Sequence, residues 1–159
     1  MQLDVLQLQQ CELQAELFED LDKRDVDAVK FIDAFLTSKA VEGLDASFDR
    51  MQWAGKEYVF QEVMDESGLE REPHPHRYNT EALYYAGWIT RYWHYLTGES
   101  SREIHAQRNA RELLQSYGYH SMANELAVEN MKADASRKEC SEEVRRPQCE
   151  RDFRAVIMI

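Results

Sequence analysis

The sequence predicts an all-α protein, a single compact bundle of five or six helices around a central aromatic-rich helix. Apolar residues recur at three- and four-residue spacing through most of the 159 residues, which is the period of an amphipathic helix. Only three prolines and six glycines interrupt the pattern, too few turn signals for an all-β fold. Because 43% of the residues are hydrophobic and 11% aromatic, the chain can bury one core and lacks the composition of a disordered protein.

The first two helices are predicted over residues 2–22 and from Asp25 or Asp27 to about Thr37. Aspartate is a favoured N-cap residue, which places the start of the second helix. The leucines of residues 2–22 also approximate a heptad, so a coiled coil is an alternative to core packing. The apolar positions of the two helices are Leu6, Leu13, Leu17, Leu21, Val29, Ile32, Phe35 and Leu36.

A third long helix is predicted from Phe48 to Glu66, after a short SKAVEG turn that ends at Gly43. Gly55 lies inside this helix and Gly87 inside the aromatic helix, where each glycine costs about 1 kcal/mol relative to alanine. Such a cost is offset where small residues let two helices approach closely. We therefore expect these two helices to cross at their glycines.

The central helix is predicted over residues 79–97, after a loop at 67–78 whose X-Pro steps disfavour helix. Asn79 is an N-cap type, and Gly98 stands where a left-handed C-cap residue belongs. Its large side chains cover more than half of the circumference, which places the helix at the centre of the fold. These side chains are Leu83, Tyr84, Tyr85, Trp88, Arg91, Tyr92, Trp93, Tyr95 and Leu96.

Two further helices are predicted after the central one. The first spans residues 101–118 without interruption and ends at a glycine, and the second is SMANELAVENMKA with Ser121 as its cap. Residues 1–135 then form one helical domain, which holds the acidic excess of the chain. Residues 136–159 are nearly neutral, show little helical period and end on AVIMI. We predict that they form a poorly ordered extension or a docking tail.

The charge of the chain narrows the class of partner. A net charge of −11 makes binding to nucleic acid or to an anionic membrane unlikely, because both need a surplus of Lys and Arg. An acidic protein is suited to a more basic protein partner, whose encounter is accelerated by complementary charge. The alternative is that the charge only maintains solubility.

The sequence also predicts where the protein acts. No apolar run approaches the roughly 18 residues of a membrane span, and the N-terminal residues lack the pattern of a signal peptide. The chain has three cysteines, Cys11, Cys140 and Cys149. We expect free thiols in a reducing environment and therefore a cytoplasmic protein.

No motif predicts catalytic residues, a metal or a cofactor. His74 and His76 form an H-x-H in the loop, but a zinc site needs three or four convergent ligands. Ser100 and Ser101 lie five and four residues before His105, but together with Glu99 and Glu103 they look like a helix cap with its capping acid rather than a Ser-His nucleophile. The segment SSREIHAQRNARELLQSYG is superficially similar to a helix-turn-helix, which makes a regulator of that type a second alternative.

Two blocks carry a resemblance to known proteins. They are FDRMQWAGKEYVFQEVMDE at residues 48–66 and YYAGWITRYWHYLTGESSREIHAQ at 84–107, the latter followed by YGYHSMANELAVENM at 117–131. Together they resemble a family of small, acidic, largely uncharacterised bacterial proteins found in toxin–antitoxin-like gene clusters. The resemblance covers roughly residues 5–133 and implies an antitoxin-like or accessory role, and it transfers no catalytic residue.

We therefore predict a non-enzymatic, antitoxin-like protein that binds a more basic protein partner, with a homodimer as another state of assembly. Trp, Tyr and Arg are enriched at interface hot spots. The residues expected to be exposed on the aromatic helix are Arg91, Trp93 and His94, and we expect them to contact the partner together with the flanking carboxylate of Glu99.

The first alternative is a small-ligand-binding protein or an enzyme with an aromatic-lined pocket. In that case several rings must surround an internal cavity with a few polar groups. The rings expected to line it are Trp53, Tyr58, Trp88 and Tyr92.

Overall fold

A computed structural model describes the backbone of residues 1–152 and the side chains of residues 1–140. The described backbone is all-helical, as predicted, and contains no strand. It forms eight α-helices joined by short connections and three 3₁₀-helices. The α-helices are α1 Val5–Glu19, α2 Ala28–Leu36, α3 Lys39–Asp45, α4 Lys56–Ser67, α5 Thr80–Thr97, α6 Ser101–Gln107, α7 Ala110–Gln115 and α8 Asn124–Asp152. The 3₁₀-helices are Asp20–Lys23, Arg50–Trp53 and Ser116–Ser121.

The helix ends follow from local capping chemistry. The Asp4 carboxylate accepts a hydrogen bond from the Gln7 backbone amide, and the Gln7 side-chain oxygen accepts one from the Asp4 backbone amide. The same reciprocal capping box starts α6 at Ser100 and α7 at Asn109. The C-terminus of α5 is closed by Gly98 at φ 80°, the left-handed conformation that glycine adopts without strain.

The aromatic helix α5 is the centre of the fold, as predicted, and its most extensive contact is with α1. Gly87 allows that contact, because a Cβ built there would lie 2.5 Å from the Gln14 carbonyl oxygen and 2.8 Å from the Ala15 Cα. Leu83, Ala86 and Ile89 are buried around it. The two helices therefore pack backbone against backbone at this point.

A cluster of phenylalanines fills the core between α1, α2 and α4. The Phe18 ring meets the Phe35 ring edge-on with centroids 5.4 Å apart, and the Phe31 ring stacks on the Phe60 ring at 5.1 Å. Aromatic pairs in these two arrangements are favoured beyond their buried area. The Arg24 guanidinium lies 3.8 Å from the centroid of the Phe60 ring and covers the cluster.

The predicted helix at 48–66 is wrong in its first half. Residues Arg50–Trp53 form a 3₁₀-helix, and Gly55 at φ 91° is the cap of α4 rather than a residue inside a helix. Nothing lies within 4 Å of a Cβ built on Gly55, so this glycine is not at a helix crossing. The expected crossing of Gly55 with Gly87 is therefore wrong, and α1 takes the place beside Gly87.

The predicted helix at 101–118 is also divided. Arg108 is extended and Asn109 caps a new helix, so α6 has seven residues and α7 six. Together with the SKAVEG segment, which forms α3 rather than a turn, this division replaces the expected five or six helices by eight. The break is what a helix-turn-helix requires, but α7 makes fewer than two turns and offers little length for reading bases.

The last helix continues past the predicted domain boundary at residue 135, since the described backbone is helical to Asp152. The terminal AVIMI segment lies outside the described residues, and the proposed division into 1–135 and 136–159 stays a prediction. Cys11, which is buried, and Cys140, which is exposed, are free thiols. None of the helices in the described backbone has the length and apolarity that a membrane span requires.

The close contact of α5 with α1 predicts the effect of a single methyl group. Gly87→Ala places its Cβ against main-chain atoms that cannot rotate away, and we expect a loss of about 3 kcal/mol or more in the free energy of unfolding. Gly118→Ala is the matched control, because nothing lies within 4 Å of its Cβ, and its change should stay within about 0.5 kcal/mol. Urea unfolding of both variants measures the difference. Equal midpoints for the two variants would show that the contact is not formed.

Candidate functional site

A buried arginine holds one side of α5. The side chain of Arg91 is 1% exposed, and its Nη1 donates hydrogen bonds to Asp45 Oδ1 at 2.7 Å and to the Leu44 carbonyl at 3.2 Å. Its Nε donates to Gln14 Oε1 at 3.0 Å. A guanidinium in the interior must have such partners, because an unpaired buried charge costs several kcal/mol.

The partners of Arg91 are themselves held by other helices. Asp45 accepts hydrogen bonds from the Ser101 amide and hydroxyl, both at 2.8 Å. Gln14 donates to the Thr90 hydroxyl at 2.7 Å and to the Gly87 carbonyl at 3.0 Å. The Arg91 network therefore joins α1, α3, α5 and the start of α6.

A second, partly buried cluster surrounds Glu99, which follows the C-terminus of α5. Its carboxylate accepts hydrogen bonds from Trp93 Nε1 at 2.7 Å, Lys132 Nζ at 2.8 Å and Gln107 Nε2 at 2.8 Å. Burial by itself raises the pKa of Glu99, but the hydrogen bonds from Lys132, Trp93, Gln107 and Thr97 outweigh it and lower the pKa to about 2. This cluster attaches α8 to α5 and α6.

The residues expected to contact a partner therefore do lie close together, but they make their contacts within the protein rather than at its surface. The predicted exposure of Arg91 and Trp93 is wrong, since Arg91 is 1% and Trp93 0% exposed. His94 is mostly buried, and its Nδ1 lies 2.7 Å from the Glu99 carbonyl oxygen. Each side chain has a partner within the chain that explains its position.

The predicted ring pocket is also not assembled as expected. Trp88 and Tyr92 do stack, with ring centroids 5.5 Å apart, but Tyr92 is buried in the core. Trp53 is 60% and Tyr58 47% exposed, because the chain turns at Gly55 and carries both rings away from the interior. Of the four rings, Trp88 alone lines the aromatic groove described next.

The aromatic groove lies between α1, α5, the 3₁₀-helix Ser116–Ser121 and the start of α8. It is an open concavity with a volume of about 580 Å³. Five aromatic or imidazole rings and two carboxylates surround it. The residues that line it are Glu19, Glu81, Tyr84, Tyr85, Trp88, Tyr117, His120 and Asn124.

Helix geometry explains how these side chains converge. Glu81, Tyr84, Tyr85 and Trp88 stand at positions i, i+3, i+4 and i+7 of α5, which share one face of a helix. On the opposite side, residues three apart in a 3₁₀-helix eclipse each other.

The Tyr117 and His120 rings show this eclipsing. They stack in parallel at 4.2 Å with an angle of 4° between their planes. The Tyr117 hydroxyl donates to Glu81 Oε1 at 3.2 Å and joins the two sides. This hydrogen bond connects α5 and the Ser116–Ser121 helix across the groove.

The groove combines neutral phenols with a negative field. Burial raises the pKa of Tyr84, and the charges of Glu12, Glu16 and Glu19 on α1 raise it further. Burial raises the pKa of Tyr85 to about 12, so its hydroxyl is neutral at physiological pH. The buried Tyr85 hydroxyl makes no hydrogen bond to the part of the chain whose side chains are described.

The serines and histidines considered for nucleophilic chemistry have structural contacts. Ser100 caps α6, and the Ser101 hydroxyl donates to Asp45. His105 Nε2 lies 2.8 Å from Asp33 Oδ1, which also accepts the Ala110 amide. Within residues 1–140, no three His, Cys, Asp or Glu side chains are grouped as metal ligands.

Sequence reasoning missed Glu19, Tyr117 and His120 as parts of one site, because they come from segments far apart in the chain. The Y-x-x-H spacing of Tyr117 and His120 is the local signal, and it becomes visible only once the segment is known to be 3₁₀-helical. A separate pattern, in α1, indicates buried polar contacts. Gln10 and Gln14 are two glutamines spaced four residues apart on the core side of this helix.

Comparison with known proteins assigns the chain to no family. No family model matches the chain, and no curated protein or solved structure is significantly similar to it.

The lowered pKa of Glu99 predicts a pH-dependent stability. The ionised carboxylate stabilises the fold above its unfolded pKa, near 4.5, and this contribution is lost as the pH falls toward the folded pKa of about 2. Glu99→Gln should therefore lose up to about 3 kcal/mol at pH 7, and its stability should fall less steeply than that of the wild type between pH 6 and pH 3.5.

Urea unfolding across that pH range measures the effect, with Glu139→Gln on the exposed side of α8 as the control for loss of a charge. Parallel curves for Glu99→Gln and the wild type would contradict the assignment.

Proposed function

We propose that the chain is an antitoxin-like or accessory binding protein of the cytoplasm, whose aromatic groove receives a more basic protein partner. The observation that carries the proposal is the groove itself, in which aromatic rings of α5 and of the Ser116–Ser121 segment meet the carboxylates of Glu19 and Glu81. Tyr and Trp supply large contact areas at interfaces.

The charge of the whole chain supports the same class of partner. A net charge of −11 accelerates encounter with a basic protein, and carboxylates at the groove orient the partner once it has arrived. The groove replaces the buried set of Arg91, Trp93, His94 and Glu99 as the proposed contact surface. Those four residues then act through the fold, by holding α5 in place behind the groove.

A second candidate is a small-molecule-binding protein. A volume of about 580 Å³ falls within the range of roughly 300–1,000 Å³ that is typical of ligand pockets. The ligand would enter the same groove, so Trp88 and Tyr84 would contact it in either case. Competition between a small molecule and a protein partner separates the two functions.

The proposal predicts that partner capture depends on the groove. The tagged full chain is incubated with extract of its native host, and captured proteins are identified by mass spectrometry. We expect a stoichiometric basic protein, and at least a tenfold loss of its capture with Trp88→Ala and with Tyr84→Ala, because both rings line the groove.

Trp53→Ala is the matched control, since Trp53 is more exposed but lies outside the groove. Circular dichroism and unfolding midpoints verify that each variant is folded. Capture that is lost with Trp53→Ala and kept with the groove variants would contradict the proposal, as would recovery of the protein alone or as a self-dimer.

A further inference from the structure

We propose that the aromatic groove binds a primary ammonium group on an aliphatic stem, namely the side chain of a lysine carried by the partner. This inference rests on the proposed function for the source of the lysine, whereas the recognition chemistry follows from the groove alone. The groove offers two features that an ammonium group requires: aromatic faces and carboxylates.

The aromatic faces are the first feature. A cation within about 6 Å of a Trp or Tyr ring is attracted by the negative face of the ring, and Trp gives the strongest attraction. Trp88 and Tyr84 stand one turn apart on the same face of α5 and both line the groove. An aliphatic stem that lies along these rings also buries its methylene groups.

The carboxylates are the second feature. Glu19 on α1 and Glu81 on α5 approach the groove from two different helices. Among its described lining residues there is no Lys or Arg that neutralises them. The charges of Glu12 and Glu16 add to the negative field along α1, as their effect on the Tyr84 hydroxyl shows.

The same protein already holds one of its own lysines in this way. Lys132 Nζ lies 2.8 Å from Glu99 Oε1 and 5.7 Å from the centroid of the Trp93 ring. The groove also has an indole, Trp88, and two carboxylates, Glu81 and Glu19, among its lining residues, and no lysine of the described side chains lines it. The Lys132 site is therefore an internal example of the chemistry that we assign to the groove.

The arrangement favours lysine over arginine. A guanidinium is matched by a single carboxylate that accepts two parallel hydrogen bonds. Glu81 already uses Oε1 to accept the Tyr117 hydroxyl, and Glu19 comes from another helix. An ammonium group is a point charge with three donors that can be directed to separate acceptors.

The test titrates the full-length protein with small probes. Nα-acetyl-lysine-N-methylamide is compared with the norleucine analogue, which keeps the stem and lacks the charge, and with the arginine analogue. Tryptophan fluorescence in a Trp53→Phe background reports binding, because this change removes the most exposed indole. We expect the lysine probe to bind at least about fivefold more tightly than either of the other two.

Charge-removing variants locate the site. The Glu19→Gln/Glu81→Gln double variant should abolish the preference for lysine over norleucine, while Glu70→Gln/Glu139→Gln, which removes two exposed carboxylates outside the groove, should keep it. Both variants are isosteric changes at exposed positions, so the fold is retained. Equal affinity for the lysine and norleucine probes, or a preference that survives the groove double variant, would overturn the inference, and so would tighter binding of the arginine probe.

The outcomes also separate this inference from the proposed function. Capture of a protein partner through the groove, without any preference for the lysine probe, would overturn the lysine assignment and support the proposed function. If the purified protein prefers the lysine probe but captures no partner, the recognition chemistry is supported. The claim that a partner protein supplies the lysine is then overturned. A free amine would then be the ligand, and spermidine is the probe that tests it.

Discussion

The buried positive charge of Arg91 is the constraint on which the rest of the structure depends. A guanidinium that is removed from water is tolerated only when its donors are satisfied, and here the acceptors come from Gln14 on α1 and from Leu44 and Asp45 at the end of α3. Asp45 in turn holds the start of α6. These hydrogen bonds connect α1, α3 and the start of α6 to α5, and Gln14 of the same network also donates to the Gly87 carbonyl at the close helix contact.

That constraint decides which part of α5 remains available for binding. Arg91 and Trp93 face inward to the Arg91 network and the Glu99 cluster, whereas Tyr84, Tyr85 and Trp88 lie on the face of α5 that lines the groove. The Ser116–Ser121 segment completes the groove with Tyr117 and His120. The aromatic density of α5 thus has two causes, since part of it builds the core and part of it forms an acidic, ring-lined groove.

The helical class, the central position of α5 and the ends of α2 and α5 could be predicted from the sequence, because apolar periodicity and caps are local. The break at Gly55 could not be predicted, since the flanking residues suit a helix equally well. The turn depends instead on contacts of Gln52 with Gln10, Gly43 and Ala46. The burial of Arg91 could not be predicted from the sequence either, because arginine is exposed in most proteins and the acceptors of its hydrogen bonds are distant in sequence. The residues of the groove could not be predicted either, because they come from three separate segments of the chain and are brought together by this packing.

The indole N–H groups of Trp53, Trp88 and Trp93 test the central claim that α5 has a structural side and a binding side. In a ¹⁵N–¹H spectrum of the full-length protein, we expect the Trp93 indole to exchange slowly with solvent, because it is buried and donates to Glu99. The Trp53 indole should exchange fast, since its side chain is mostly exposed. Addition of the lysine probe should shift the Trp88 signal and leave the other two unchanged. Fast exchange at Trp93, or a shift at Trp93 without one at Trp88, would contradict the account.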